Sequence, residues 1–109
     1  MDIFRLVNEC LGFDWDEFNI NKSWAKHGVP WWQCEEVFLN EPILLLADVF
    51  HSDREKRYFA LGVTAGKRKL FVAFTIRGKK IRPISVRDMS KKERRIYEEP
   101  KAEPDSKIQ

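Results

Sequence analysis

The chain is poor in the residues from which most self-contained catalytic sites are assembled, with two cysteines and two histidines in 109 residues. Cys10 and Cys34 are far apart and have no metal-ligand spacing, and neither has the local His and Asn or Asp companions of a thiol nucleophile. Both are expected to be buried thiols. So few histidines argue against a multi-histidine metal centre. No Gly-rich phosphate loop, G-x-S-x-G or Cys-x-x-Cys occurs, so nucleotide hydrolysis, serine-hydrolase chemistry and a zinc ribbon have no foothold. No metal and no other cofactor is expected. No apolar run approaches the roughly eighteen residues that cross a bilayer, and the start MDIFRLVNEC lacks the basic opening and long apolar centre of a signal peptide. A cytoplasmic protein without a membrane partner is the expectation.

What the chain does have is charge, unevenly divided. Residues 1–53 carry three Lys or Arg against ten Asp or Glu, a net of −7, whereas residues 54–95 carry fifteen against three, a net of +12. If the fold gathers that basic segment on one surface, it attracts phosphate-rich polymers, because each cation near a phosphate releases condensed counterions. Arg77, Arg82 and Arg87 sit within apolar, strand-like stretches, where a guanidinium without a task would be costly to bury in part. Nucleic acid is the leading candidate ligand.

Hydrophobic residues make up 43% and aromatics 13%, enough for one core and an ordered chain over most of its length. One domain over residues 1–99 is expected, followed by a disordered tail over residues 100–109, where KAEPDSKIQ has no apolar period. Ile3, Phe4, Val7 and Leu11 recur at helical intervals, predicting a helix over Asp2 to Leu11 that Gly12 stops. Asp16 can cap a second helix, with Ile20 and Trp24 on one face and an end at His27 before Gly28 and Pro30. A third follows Pro30, with Trp31, Cys34 and Phe38 on one stripe and Val37 beside it; at least one of Trp31 and Trp32 is expected in the core, although both could stack bases.

After Pro42 the period becomes strand-like. PILLLADV, RYFALGVT, KLFVAFTIR and KIRPISVRD read as four strands, the last two joined by a two-residue turn at Gly78 and Lys79. Ser90 and Glu93 have the capping-box spacing and predict a closing helix that ends before Pro100. Helices, then a meander of about four antiparallel strands, then a C-terminal helix make an α+β fold with the helices on one side of the sheet and the other face partly open.

That turn would pair Arg77 with Lys80 and Thr75 with Arg82, putting both arginines on one face with Phe71, Ala73, Ile84 and Val86. Arg87, five residues past Arg82, falls on the opposite face of a regular strand. Pro83 implies an edge position or a bulge, and one extra residue would bring Arg87 round to the other two.

His51, with Glu55 and Arg57 close behind, could transfer protons beside a cationic cluster, while arginines stabilise charge building on a pentacovalent phosphate. His27 and Lys26 fall at a helix C-terminus, where a cation is favoured whatever the function. Attack by an RNA 2′-hydroxyl suits this set, because the substrate brings the nucleophile and the protein supplies alignment, proton transfer and charge stabilisation. A metal-independent endoribonuclease is one reading. A non-catalytic module that binds RNA or protein through its basic face is the other.

FDWD, KHGV, EEVF, HSDREKRYFALG and RPISVRDMSKKERRIYEE occur in that order from about Phe13 to Glu99. In these motifs the chain resembles the BrnT family of bacterial toxins, ribonucleases with a RelE-like fold made in type II toxin–antitoxin pairs. The resemblance implies a toxin that cuts RNA and inhibits translation. It also implies neutralisation by a small ribbon-helix-helix antitoxin of the BrnA kind, operator DNA being reached only through that antitoxin. It carries over Lys26 and His27 in KHGV, His51, Glu55 and Arg57 in HSDREKR, and Arg82, Ser85 and Arg87 in RPISVR, with Arg77 matching a frequent hairpin arginine. His51, Glu55, Arg57, Arg77, Arg82 and Arg87 are the expected catalytic set. Lys26, His27, Lys79, Lys80 and Ser85 are expected to bind RNA. Asn19, Ser23 and Pro83 depart from residues common in relatives, so phosphate binding by the second helix is expected to weaken or to pass to Lys22, and the helix from Asp2 to Leu11 looks like an addition.

Overall fold

The first two helices begin where a short acidic side chain accepts a backbone N–H. In the computed structural model, which describes residues 2–51 and 54–99, Asp2 accepts from Phe4 N and opens α1 (Ile3–Asn8). Asp16 and Asn19 cap each other reciprocally at the start of α2 (Glu17–His27), which ends at Gly28 with φ of 63°, a left-handed conformation that glycine adopts without strain. Pro30 then leads into α3 (Trp31–Leu39).

Four strands follow, β1 (Leu44–Asp48), β2 (Arg57–Val63), β3 (Lys69–Arg77) and β4 (Lys80–Asp88), antiparallel and in sequence order across one sheet. The turn between β3 and β4 has positive φ at both Gly78 (55°) and Lys79 (63°), as a two-residue hairpin of type I′ requires, and pairs Arg77 with Lys80 and Thr75 with Arg82 as expected. Leu45, Ala60, Val72, Phe74 and Val86 point to one face and form the main core with Val29, Cys34 and Val37. Gly62 lets α3 approach this closely: a Cβ there would lie 2.8 Å from Val37 Cγ1.

The closing helix α4 (Lys91–Glu98), capped by the expected Ser90–Glu93 box, does not join the other three. Its Tyr97 packs with Met89 and Leu61 against Leu44, Val63 and Phe71. Leu44 opposes Leu61 and Leu61 opposes Phe71, so these share the face turned away from the main core. The helices therefore lie on both sides of the sheet, and α4 covers only one end of the second face. Among the described residues no helix covers the other end.

Helix orientation also departs from the apolar pattern. Ile3, Leu6 and Val7 of α1 pack on the core, as does Cys10 beyond it, while Phe4 and, past the helix, Leu11 are exposed; the helix stops at Asn8. Cys34 is buried as expected, with its thiol pKa pushed up by desolvation, but Cys10 is only partly so. In α2 the buried side chains are Asn19 and Ser23, and Trp24 faces out. Hydrogen bonding to β4 sets that rotation: Asn19 Nδ2 donates to the Pro83 carbonyl at 3.0 Å and to the Asp14 carbonyl at 3.1 Å. Neither Trp31 nor Trp32 is in the core, because Cys34 and Val37 fill the sheet-facing side of α3; both tryptophans line a shallow groove with Ile20 and Trp24. The expected tail over residues 100–109 lies outside the described residues.

Candidate functional site

Pro83 sits on the outermost strand of the sheet, and next to it β4 is irregular. Ala73 opposes Ser85 while Phe74 opposes Pro83, so Ile84 is one residue too many. This bulge resets the alternation. Arg87 comes to oppose Phe71, on the same open face as Arg82, which opposes Thr75. Val86 consequently turns to the main core and is buried there, contrary to the expectation that it shares a face with the arginines.

Sharing a face does not bring all three guanidinium groups together. Arg87 lies four residues along β3 from the level of Arg82, about 13 Å at the rise of a strand. Its side chain is held at that end by two bonds to Glu93, 2.8 and 2.9 Å, and stacks 4.0 Å from the Phe71 ring centroid. Arg77 and Arg82 converge instead with Lys22, Glu55 and Arg57 around a pocket of about 180 Å³. Arg77 clasps Glu55 through two hydrogen bonds of 2.7 and 3.0 Å. Arg82 donates to Asp16 Oδ2 at 2.9 Å and lies 3.5 Å from Asp14 Oδ1.

These contacts shift the acids. The Arg77 hydrogen bond, aided by the charges of Arg77, Arg57 and Arg82, holds the Glu55 carboxyl below the usual carboxylate range. Asp16 is lowered first by the Asn19 backbone N–H it caps, then by Arg82. A carboxyl so stabilised as an anion is a weak proton acceptor and a firm anchor for its arginine.

Beside this pocket opens a second cleft of about 360 Å³, lined by Phe50, His51, Arg54, Glu55 and Arg57. Glu55 and Arg57 line both, so the two form one groove across the open end of the face. His51 is fixed from behind. Asp48, at the end of β1 and only 4% exposed, accepts from the backbone N–H groups of Phe50 (3.1 Å) and His51 (3.2 Å) through Oδ1. Its Oδ2 lies 3.0 Å from His51 Nδ1. With Nδ1 held by a carboxylate, Nε2 is the ring nitrogen left to meet a ligand.

Lys79 and Lys80 are exposed on the hairpin beside Arg77, and Ser85 faces the open side between the levels of Arg82 and Arg87. Lys26 and His27 are elsewhere. They end α2, about 16 Å along the helix from its start beside Arg82. There Arg68, bound to Asp88 at 2.7 Å, donates to the Gly28 carbonyl at 3.1 Å and the His27 carbonyl at 3.4 Å. Sequence reasoning passed over Asp48, Arg54 and Phe50 in the groove, and Arg68 here. Asp48 had a signal, a carboxylate three residues before His51.

A family model described as the ribonuclease toxin, BrnT, of type II toxin–antitoxin systems matches residues 15–93. The chain belongs to the BrnT family. The matched segment contains every groove residue, whereas α1 lies outside it. No curated protein matches the chain. BrnT proteins are ribonuclease toxins, so RNA is the family's target and an antitoxin its partner. Among the described residues no helix is long and apolar enough to cross a membrane, and no three His, Cys, Asp or Glu side chains are grouped as a metal ion needs.

Proposed function

We propose that the groove cleaves single-stranded RNA by attack of a 2′-hydroxyl on the adjacent phosphate, without a metal ion. The observation that carries this reading is the Asp48–His51 pair opening onto the same groove as Arg57, Arg77 and Arg82. His51 Nε2 takes the 2′-hydroxyl proton, with Asp48 steadying the imidazolium that forms. The 2′-oxygen bonds to phosphorus, the bond from phosphorus to the 5′-oxygen breaks, and that oxygen takes a proton from water. Arg57, Arg77 and Arg82 stabilise the charge on the phosphorane oxygens. Glu55 aims Arg77, because its depressed pKa opposes service as a base. Lys22, Lys79, Lys80 and Ser85 hold neighbouring phosphates, while Arg87 secures α4 and Lys26 and His27 stand outside the chemistry.

In the cell this activity would arrest translation in the cytoplasm until an antitoxin of the ribbon-helix-helix type covers the groove, the pair meeting operator DNA through the antitoxin. The test is incubation of the purified chain with RNA in excess EDTA. Expected are 2′,3′-cyclic phosphate ends, no cut at positions carrying a 2′-O-methyl group, and a loss of at least about 100-fold in rate for His51→Ala. Salt-dependent binding without cleavage, indifferent to His51→Ala, would leave the chain a binding module.

A further inference from the structure

We propose that Phe50 is a nucleobase platform: the base beside the scissile phosphate stacks on its ring, making the His51 end of the groove a subsite for an unpaired nucleotide. This rests on the ribonuclease reading above and adds a ligand group to it. Phe50 is 84% exposed, so its ring contributes little to the core. A single exposed aromatic is unremarkable by itself; this one lines the cleft with His51, Arg54, Glu55 and Arg57, and its backbone N–H is bound to Asp48. Asp48 Oδ1 accepts from both Phe50 N and His51 N, so one buried carboxylate sets the aromatic and the imidazole together. An aromatic face next to two arginines, in a cleft of about 360 Å³ that falls within the range of small-ligand sites, matches how single strands are held: cations along the backbone and a ring under a base.

The experiment measures binding apart from cleavage. The probe is a short single-stranded RNA of a sequence the wild-type chain cuts, made uncleavable by one 2′-deoxy nucleotide at the cut position, with copies in which one flanking base at a time is removed. Phe50→Ala is expected to weaken binding about 5- to 100-fold, Phe50→Trp to retain it, and Phe50→Leu, apolar but unable to stack, to behave like Ala. Removing the one base that stacks should weaken wild-type binding and leave Phe50→Ala unaffected. Equal affinity of Phe50→Ala and wild type for the intact probe overturns the proposal while leaving the ribonuclease reading intact. Loss of antitoxin binding by Phe50→Ala with unchanged RNA affinity overturns it too, in favour of a protein contact. Failure of the wild-type chain to bind or cut any RNA strikes the underlying reading itself.

Discussion

The carboxylate of Asp48 is buried beneath His51 and holds Nδ1 of its exposed imidazole at 3.0 Å. A buried acid that fixes the tautomer of an exposed ring separates positioning from proton transfer. Asp48→Asn should retain an oxygen for the Phe50 and His51 N–H groups yet present the wrong partner to Nδ1. We expect an unchanged far-ultraviolet circular dichroism spectrum and RNA cleavage reduced by about 100-fold or more. A rate within threefold of wild type would mean that the pair only shapes the loop.

Asp16 both caps α2 and holds Arg82. Asp16→Ala removes the cap and should cost about 1 kcal/mol in urea unfolding. Asp16→Ser keeps a capping oxygen and loosens Arg82, so its stability should stay near wild type while RNA affinity at low salt rises. Arg82→Ala should abolish growth arrest on induction.

Glu93, Asp88 and Glu55 are each held below the usual carboxylate range, first by hydrogen bonds from Arg87, Arg68 and Arg77 respectively. Their folded values are lower than their unfolded ones, so in acid the unfolded chain binds more protons. The stabilisation is complete above the ordinary carboxylate pKa of about 4 and is lost as pH falls through the depressed folded values. Melting temperature should therefore drop steeply below about pH 4, and Glu93→Gln should flatten that dependence.

Arg87→Ala should lower stability by loosening α4 and uncovering Phe71, with cleavage changed only a few-fold when assayed well below the melting temperature. A loss of activity as large as that of Arg82→Ala, in a chain still folded, would return Arg87 to the catalytic set.

Gly62→Ala puts a methyl carbon 2.8 Å from Val37 Cγ1, and overpacking of this kind costs roughly 1–3 kcal/mol. Chemical denaturation measures it directly. Val37→Ala should relieve part of the strain in the double variant, so that the two costs fail to add.

The elements themselves were readable, because Asp16, Ser90 and Gly28 are local signals and the alternation after Pro42 has a short period. The hairpin register followed from Gly78 and Lys79 alone, and Pro83 correctly announced an irregularity on an edge strand. Sequence could not reveal which side of the sheet α4 takes, since Tyr97 and Ile96 offer apolar contacts without naming their partner. Nor could it orient α2, where the hydrogen bonds of Asn19 to Pro83 and Asp14 outweigh the apolar stripe of Ile20 and Trp24. The sharing of one face by Arg77 and Arg82 was visible in the hairpin register, whereas Arg57 joined them only through the family resemblance. Separation of Arg87 from them was not visible, because its tie to Glu93 depends on where α4 lands.

The supernumerary Ile84 divides β4 into two stretches with separate allegiances. Ahead of it the strand serves the groove; behind it, Arg87 serves α4 and Val86 the main core. Excising that single position would leave Pro83, Ser85, Val86 and Arg87 opposite Phe74, Ala73, Val72 and Phe71 in an unbroken ladder, so every side chain would keep its face and only the local distortion would go. The surplus residue thus gives an edge strand its kink and added twist, while the facing of its neighbours survives without it.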